Sequence, residues 1–289
     1  MTVLEVIKRS TEFLTRKGVD SPRLQVEWLL AHALKMPRLQ LYLNFERVLH
    51  PLELETIREL VRRRGNREPL QHIVGSASFC GLEILVNPDV LIPRPETELL
   101  AECGWQFLQN LHRDDTAPAT ALDFGTGSGC IAIALATKSP KTRVCAVDIS
   151  EAALKVSRTN AERNQVGDRI EFLCAGSLEE LPSQCRFDLI ISNPPYIPSR
   201  EIATLAPEVR DFDPRLALDG GEDGLDFFRQ LARACVVRLE SAGRFMIEFG
   251  DGQEHRVAAI FQAAGLVIDT LANDLNGRPR ILIARRGED

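Results

Sequence analysis

The chain has 289 residues, of which 44% are hydrophobic and 26% are charged, a composition typical of a globular protein with one or two domains. Its formal net charge of −6 argues against a general attraction to nucleic acid backbones, and we expect no stable nucleic acid binding. The sequence shows neither an apolar run of membrane-spanning length nor the apolar core of a signal peptide, so we expect a cytoplasmic protein without membrane contact. We also expect it to act as a monomer.

Residues 1–70 show helical periodicity and predict a small all-helical domain. Thr2 is placed to cap a helix that ends near Gly18. Ser21-Pro22 combines a capping residue with proline at the first helical position, so a second helix is expected to begin there. Apolar side chains recur at helical spacing along it, which predicts that Trp28 lies in the core. These side chains are Leu24, Trp28, Ala31 and Leu34.

A further helix opens at Pro51 and ends in the run Arg62-Arg63-Arg64-Gly65. Basic side chains in a last turn complement the helix dipole while they stay in solvent, which is the simpler interpretation. The alternative interpretation is a docking patch for a macromolecular partner.

Residues 71–95 predict a β-hairpin and a proline-rich linker between two domains. The runs 70–75 and 82–86 have the composition of short strands around glycine and small residues. Two prolines flank Arg94 and stiffen the segment 91–98, and Thr97 is placed to cap the helix that follows.

Residues 96–289 alternate between strand and helix patterns, which predicts an α/β fold with a mostly parallel, Rossmann-like sheet covered on both faces. No helix pattern separates the last two strands, so the last strand is expected to be antiparallel. The predicted strands cover residues 120–124, 142–148, 170–175, 187–192, 243–249, 266–272 and 279–285. The predicted helices cover residues 128–138, 150–164, 224–240 and 253–264.

A glycine-rich turn follows the first of these strands, in the segment Asp123-Phe124-Gly125-Thr126-Gly127-Ser128-Gly129. Glycines let the backbone bend sharply and let a ligand approach closely. The next strand ends in Asp148, whose carboxylate can accept hydrogen bonds from both hydroxyls of a ribose. NAD-binding enzymes share this layout, but Cys130 stands where their motif has its third glycine. A nucleoside without a pyrophosphate, such as S-adenosylmethionine (SAM), fits the turn better.

The tetrapeptide Asn193-Pro194-Pro195-Tyr196 follows the apolar run 187–192, which has the pattern of a buried strand. Prolines cannot continue a strand, so they form a stiff turn at its carboxyl end, where ligands collect in open α/β sheets. The backbone carbonyls and the Asn193 side chain offer acceptors, and Tyr196 offers an aromatic face. This set suits a planar nitrogen that carries two hydrogens, as in an amide or an aromatic amine, and predicts its alkylation.

The glycine turn, Asp148 and the tetrapeptide together resemble the class I SAM-dependent methyltransferases that modify a planar nitrogen. The segments 68–75 and 91–98, with the helical N-terminal domain, resemble the release factor glutamine methyltransferases over nearly the full length. This resemblance implies SAM as cofactor and peptide chain release factors as protein partners. It also implies methylation at N5 of the glutamine in their Gly-Gly-Gln loop, with the helical domain 1–70 docking the substrate and residues 96–289 binding SAM.

The resemblance further implies roles for individual residues. Asn193, Pro194 and Tyr196 are the expected catalytic residues, and together with Pro195 they are expected to bind the glutamine amide. The expected cofactor-binding residues are Gly125, Thr126, Gly127, Ser128, Gly129, Asp148, Ser177 and Asn193. Gly176 stands where the family often has an acid that meets the adenine, so backbone groups or Ser177 are expected to read the adenine.

Two other functions share part of this pattern. An N6-adenine or other nucleic acid amino-methyltransferase has the same tetrapeptide and fold, but it needs a basic face and a base-flipping pocket. A non-enzymatic SAM-binding scaffold that docks on translation factors is the second alternative, and the intact glycine turn and tetrapeptide argue against it.

The remaining patterns concern structure and possible accessory groups. The seven scattered cysteines predict free thiols in a reducing compartment, and the five histidines lack metal-ligand spacing, so we expect no metal. Glu248 and Asp251 end a predicted strand, where a carboxylate can face the pocket. Residues 211–224 are expected to form an irregular loop that either covers the substrate or stays in solvent.

Overall fold

The computed structural model describes three stretches of the chain, residues 1–111, 117–274 and 276–287. Among these residues, no helix is both long and apolar enough to cross a bilayer. The chain divides into two compact units, the first formed by Met1–Ser76 with Ala206–Phe212 and the second by Ala77–Leu205 with Asp213–Asp289.

The first unit is helical, and aliphatic side chains from its helices form its core. Thr2 caps the first helix as predicted, because Thr2 Oγ1 accepts from the Glu5 amide at 3.3 Å and Glu5 Oε2 accepts from the Thr2 amide at 2.8 Å. Ser21 precedes the second helix, but its side chain makes no capping hydrogen bond. The helices are α1 Val3–Arg16, α2 Pro22–Leu34, α3 Arg38–Leu43, α4 Pro51–Gly65, α5 Leu70–Val74 and the single turn α9 Pro207–Arg210.

The inward face of α2 differs from the prediction. Trp28 is 47% exposed, whereas the neighbouring Leu29 is fully buried. Glu27 lies in the interior instead, where its carboxylate accepts hydrogen bonds from Arg38 and Tyr42, each at 2.8 Å. Such donors offset the cost of burying a charge. The prediction that Trp28 lies in the core is therefore wrong, and its ring lies 5.6 Å from the Arg38 guanidinium.

The arginine run at the end of α4 is held by ion pairs. Arg64 is buried, and it donates hydrogen bonds to Gln25 and, at 2.7 Å, to Glu208. Arg67 reaches the other oxygen of Glu208 at the same distance. Both interpretations of the run are wrong for Arg64, since this side chain is neither solvated nor open to a partner. The other two arginines form the pairs Arg62–Glu59 and Arg63–Glu68.

The predicted hairpin exists, but its first strand lies later in the chain. Leu70–Val74 is the short helix α5 rather than a strand, because Pro69 starts a helical turn that Gly75 ends with a φ of 87°. The strands are β1 Ser76–Phe79 and β2 Leu82–Leu85. Helix α6, Pro95–Asn110, has Arg94 as its N-cap, so the prediction that Thr97 caps it is wrong.

The second unit contains a seven-stranded sheet in the order β5-β4-β3-β6-β7-β9-β8. The first five strands in this order are parallel, and β9 is antiparallel to β7 and β8, as predicted. The strands are β3 Ala119–Phe124, β4 Thr142–Asp148, β5 Ile170–Cys174, β6 Phe187–Ser192, β7 Leu239–Glu248, β8 Leu266–Asn273 and β9 Pro279–Arg286. The covering helices after α6 are α7 Cys130–Lys138, α8 Glu151–Arg163, α10 Asp226–Arg238 and α11 Glu254–Ala263.

Successive residues of β6 point to opposite faces of the sheet. Leu189 and Ile191 pack in the cluster that includes α6 and α7, while Ile190 packs in the cluster that includes α10 and α11. The strand order reverses between β3 and β6, and ligands bind beyond the carboxyl ends of strands at such a switch point. Ser192 Oγ donates to the Phe124 carbonyl at 2.6 Å and ties the two strand ends together.

Candidate active site

A cavity of about 580 Å³ opens beyond the carboxyl ends of β3, β4, β5 and β6. The segment that follows each of these strands contributes one or two residues to the cavity wall. The contributions are Gly125 and Gly127 after β3, Ile149 and Ser150 after β4, Ala175 and Gly176 after β5, and Asn193 after β6. The topology therefore brings together residues from four separate predicted motifs.

The glycine turn presents bare backbone to this cavity. Gly125 and Gly127 have φ angles of 76° and 54°, and a Cβ added to either would meet nothing within 4 Å. The side chains between the glycines, those of Thr126 and Ser128, are buried and do not line the cavity. Thr126 Oγ1 donates to Asp123 Oδ2 at 2.6 Å, and this contact holds the turn.

Three residues of the glycine turn lie behind the cavity wall and do not line it. They are Thr126, Ser128 and Gly129. A Cβ at Gly129 would lie 2.3 Å from Ser157 Oγ, so glycine is required there for packing against α8. Asp123, which anchors the turn, is fully buried, and burial raises the pKa of its carboxyl to about 7 against the hydrogen bond from Thr126.

Asp148 lines the cavity and also fixes the turn opposite. Its Oδ2 accepts from the Gly127 amide at 2.8 Å, and its Oδ1 accepts from the Ser150 amide at 2.9 Å. Each carboxylate oxygen has a second lone pair, so Asp148 can still accept two hydroxyl groups from a ligand. This geometry suits a vicinal diol next to the glycine turn.

The far end of the cavity is formed after β5. Gly176 lines the cavity, and its amide donates to Glu180 Oε1 at 3.1 Å while its carbonyl accepts from Gln230 Nε2 at 2.9 Å. Ser177 lies outside this wall and lines a separate depression near Arg233. Sequence reasoning missed Gln230, which reaches the cavity from α10, because no local pattern marks a contact between residues so far apart.

Residues of the tetrapeptide after β6 line two different cavities. Asn193 and Pro195 line the one just described, whereas Pro194 is buried and Tyr196 lines a neighbouring polar depression. Among the described residues, no hydrogen bond reaches the carbonyl oxygens of Asn193, Pro194 and Pro195. The carbonyl of Tyr196 is occupied, since it accepts from Gln253 Nε2 at 3.0 Å. Among the described residues, three of the four carbonyl oxygens of the turn therefore lack an internal hydrogen-bond partner, as the sequence predicted.

A buried polar chain supports the Asn193 side chain from behind. Asn193 Nδ2 donates to Thr97 Oγ1 at 2.9 Å, and Thr97 Oγ1 donates to Glu248 Oε2 at 2.7 Å. Tyr196 contributes a longer contact, 3.4 Å from its hydroxyl to Glu248 Oε1. Thr97 and Glu248 are each 2% exposed, so Glu248 does not face the cavity itself. Asp251, the other carboxylate considered, is exposed and pairs with Arg278.

The segment after the tetrapeptide is braced by glycines further along the chain. The Ile197 amide donates to the Leu218 carbonyl at 3.0 Å, and the Gly220 amide donates to the Ile197 carbonyl at 2.9 Å. A Cβ at Gly224 would lie 2.5 Å from the Tyr196 carbonyl oxygen. Residues 218–224 therefore contact Tyr196 and the adjoining Ile197, which a freely solvated loop could not do.

Within the described residues, no group of three or more His, Cys, Asp or Glu side chains is arranged to hold a metal ion. All seven cysteines are free thiols, and burial raises the pKa of Cys130 to about 12. No thiolate is therefore offered at the glycine turn.

Two family models match the sequence. The PrmC N-terminal domain matches residues 5–75, and the methyltransferase small domain matches residues 103–208. The release factor glutamine methyltransferase of Geobacter sulfurreducens is 45% identical over 286 residues, which are 99% of this chain and 97% of that protein. The enzyme of the same name from Chlorobaculum tepidum is 44% identical over 250 residues, 86% of this chain and 85% of that protein.

Among solved structures, the catalytic domain of hMettl16 in complex with a MAT2A 3′UTR hairpin superimposes with a TM-score of 0.55. The similarity covers 80% of this chain and 82% of that chain, at 16% sequence identity. At this identity the likeness shows a shared fold and nothing about the substrate.

Proposed function

The chain belongs to the release factor glutamine methyltransferase family, and from this premise we propose that it methylates the side-chain amide nitrogen, N5, of a glutamine in peptide chain release factors, using SAM. The target is the glutamine of the Gly-Gly-Gln loop. The observation that carries the proposal is the set of carbonyl oxygens without a hydrogen-bond partner among the described residues, at Asn193, Pro194 and Pro195, next to a cavity of about 580 Å³. Identity of 45% along almost the whole chain supports it.

The residues around the cavity fit SAM. Gly125 and Gly127 leave open backbone where an amino-acid moiety can lie in contact, and Asp148 retains lone pairs for a ribose. The volume of about 580 Å³ is within the usual range for a site of this ligand size. We propose Gly125, Gly127, Asp148, Gly176 and Asn193 as the cofactor-binding residues that touch the ligand, with Thr126, Ser128 and Gly129 shaping the turn. Gly176 and Gln230, rather than Ser177, stand at the end expected to receive the adenine.

SAM, when bound, supplies an electrophilic methyl group on a sulfonium. The task of the protein is to make the carboxamide nitrogen nucleophilic, because its lone pair is delocalised into the carbonyl group. Acceptors at Asn193 and Pro194 that bind both N–H groups shift electron density onto this nitrogen. They bind it more strongly as positive charge develops, which stabilises the transition state. The proton then leaves to water. We propose Asn193, Pro194 and Tyr196 as catalytic, with Pro195 lining the path to the cofactor.

The helical first unit is proposed as the region that docks the release factor, in keeping with the match of residues 5–75 to the PrmC N-terminal domain. Its exposed Trp28 and Leu43 offer apolar surface for a protein partner. We further propose that the enzyme acts as a monomer in the cytoplasm, where release factors meet ribosomes.

The direct test is transfer of labelled methyl from SAM to purified release factor, to the same factor with the loop glutamine replaced by glutamate, and to duplex DNA. Label is expected in the unaltered factor alone, and peptide mapping should locate one methyl on the loop glutamine. Label in DNA, or equal label in the glutamate variant, would overturn the proposal.

A further inference from the structure

We propose that Thr97 and Glu248 are positioning residues that determine which end of the Asn193 carboxamide faces the reacting nitrogen. The inference rests on the proposed function of Asn193, since it concerns how this side chain is presented to the substrate amide.

The three side chains come from distant parts of the chain. Thr97 is the third residue of α6, Asn193 follows β6, and Glu248 ends β7. They form one line of contacts, with 2.9 Å from Asn193 Nδ2 to Thr97 Oγ1 and 2.7 Å from Thr97 Oγ1 to Glu248 Oε2. Because both Thr97 and Glu248 are 2% exposed, water cannot readily replace either contact.

The direction of these hydrogen bonds follows from the number of protons available. An ionised carboxylate only accepts, so Glu248 must receive the single hydroxyl proton of Thr97. Thr97 can then only accept from Asn193, and this consumes a proton of Nδ2. The carboxamide is thereby locked with Oδ1 away from Thr97 and available to an N–H group of the substrate.

Protonation of Glu248 permits the opposite direction. A neutral carboxyl can donate to Thr97, and Thr97 can then donate to Oδ1, so that Nδ2 faces the substrate and repels its N–H groups. Burial raises the pKa of Glu248 to about 7, and Glu96 on α6 acts in the same direction. Thr97, Arg280 on β9 and the Tyr196 hydroxyl oppose the rise.

Kinetics of variants on α6 test the role of Thr97. Thr97→Val keeps the shape and removes the hydroxyl, and we expect kcat to fall about tenfold or more while the KM for SAM stays within twofold. Thr97→Ser retains the hydroxyl and should restore most of kcat. The matched control is Thr159→Val, an exposed threonine on α8 whose hydroxyl bonds, among the described residues, only to the Lys155 carbonyl of its own helix. A Thr97→Val enzyme within twofold of the wild-type kcat would overturn the proposal.

Glu248→Gln tests the role of the proton. The wild-type kcat is expected to fall as the pH drops through about 7, as Glu248 gains its proton. Glutamine cannot ionise, and its amide can either accept from Thr97 or donate to it, so the pH profile of the variant should lose this limb. An unchanged limb in the variant would assign the titration to another group and refute this part of the inference.

A readout that needs no turnover separates this inference from the proposed function. With ¹⁵N-asparagine labelling, the Asn193 side-chain amide signal is identified by its loss in Asn193→Asp. Thr97→Val should shift that signal and speed its exchange with water about tenfold, and Thr159→Val should leave it unchanged. An unaltered signal in Thr97→Val refutes the positioning role. A wild-type protein that methylates no release factor refutes the proposed function alone.

Discussion

Asn193 donates a hydrogen bond from Nδ2 to the hydroxyl of Thr97 across 2.9 Å, although the two residues are 96 positions apart in the sequence. The contact links the beginning of α6 to the turn after β6. The contact uses one proton of Asn193 Nδ2. Asn193 Oδ1 remains available as an acceptor, together with the backbone carbonyls of the same turn. A group built in this way suits a substrate that brings only N–H donors.

Replacing Asn193 by alanine tests whether this carboxamide acts on the reacting amide. We expect Asn193→Ala to lower kcat about a hundredfold, the usual scale for the loss of one preorganised polar group. Binding of S-adenosylhomocysteine, measured by calorimetry, should weaken by no more than about threefold. Equal losses in turnover and in cofactor affinity would contradict the assignment.

Asp148 and Ser177 were both expected to bind the cofactor, and the structure separates them. Asp148→Asn should weaken S-adenosylhomocysteine binding about tenfold or more, because the amide can offer only one acceptor oxygen in place of two. Ser177→Ala should change the affinity by less than twofold, since this side chain lies outside the cavity wall. Calorimetric titration of both variants with S-adenosylhomocysteine measures these affinities. A large loss in Ser177→Ala would restore the sequence-based expectation.

Gly224 supports the tetrapeptide through a close backbone contact. An added Cβ would lie 2.5 Å from the Tyr196 carbonyl oxygen, so Gly224→Ala should displace the turn and destabilise the fold by about 1–3 kcal/mol beyond the strain of its positive φ. Gly265→Ala is the matched control, because Gly265 also has a positive φ but has nothing within 4 Å of an added Cβ. Chemical denaturation measures both, and equal destabilisation would show that the contact is unimportant.

Glu248 gives the stability of the fold a defined pH dependence. Its pKa rises from 4.5 to about 7 on folding, so its contribution to stability is fully present below about pH 4.5 and is lost as the pH rises to about 7. Glu248→Gln removes this loss. The variant should gain stability relative to wild type between pH 5 and 7, reaching about 3 kcal/mol at most and then levelling off. Asp123 titrates in the same window but is present in both proteins, so it cancels in the difference. A flat difference from pH 5 to 8, measured by urea unfolding, would contradict this account.

The α/β architecture could be read from the sequence because parallel strands buried on both faces appear as continuous apolar runs. The run 187–192 became β6 with the predicted bounds. Its neighbour β7 begins at Leu239, four residues earlier than expected, because exposed residues near its start obscure the apolar pattern. The glycine turn and Asp148 were predictable for a similar reason, since the turn directly follows β3 and Asp148 is the last residue of β4.

The errors share a cause, which is that tertiary partners decided the outcome. Which face of α2 is buried depended on Glu27, and the burial of Glu27 requires hydrogen bonds from Arg38 and Tyr42, which lie beyond the helix. Thr97 is of a residue type that often caps helices, and only its contacts with Asn193 and Glu248 reveal another role. Patterns among neighbouring residues of the sequence do not indicate such contacts between distant residues.

The most direct test of the central claim is a crystal structure of the enzyme with S-adenosylhomocysteine and a peptide that contains the Gly-Gly-Gln sequence. The account predicts that the glutamine side-chain nitrogen lies about 3 Å from Asn193 Oδ1 and from the Pro194 carbonyl oxygen, with Asn193 Nδ2 still on Thr97. A glutamine nitrogen bound away from both oxygens, in crystals of a protein that still methylates release factor, would contradict it.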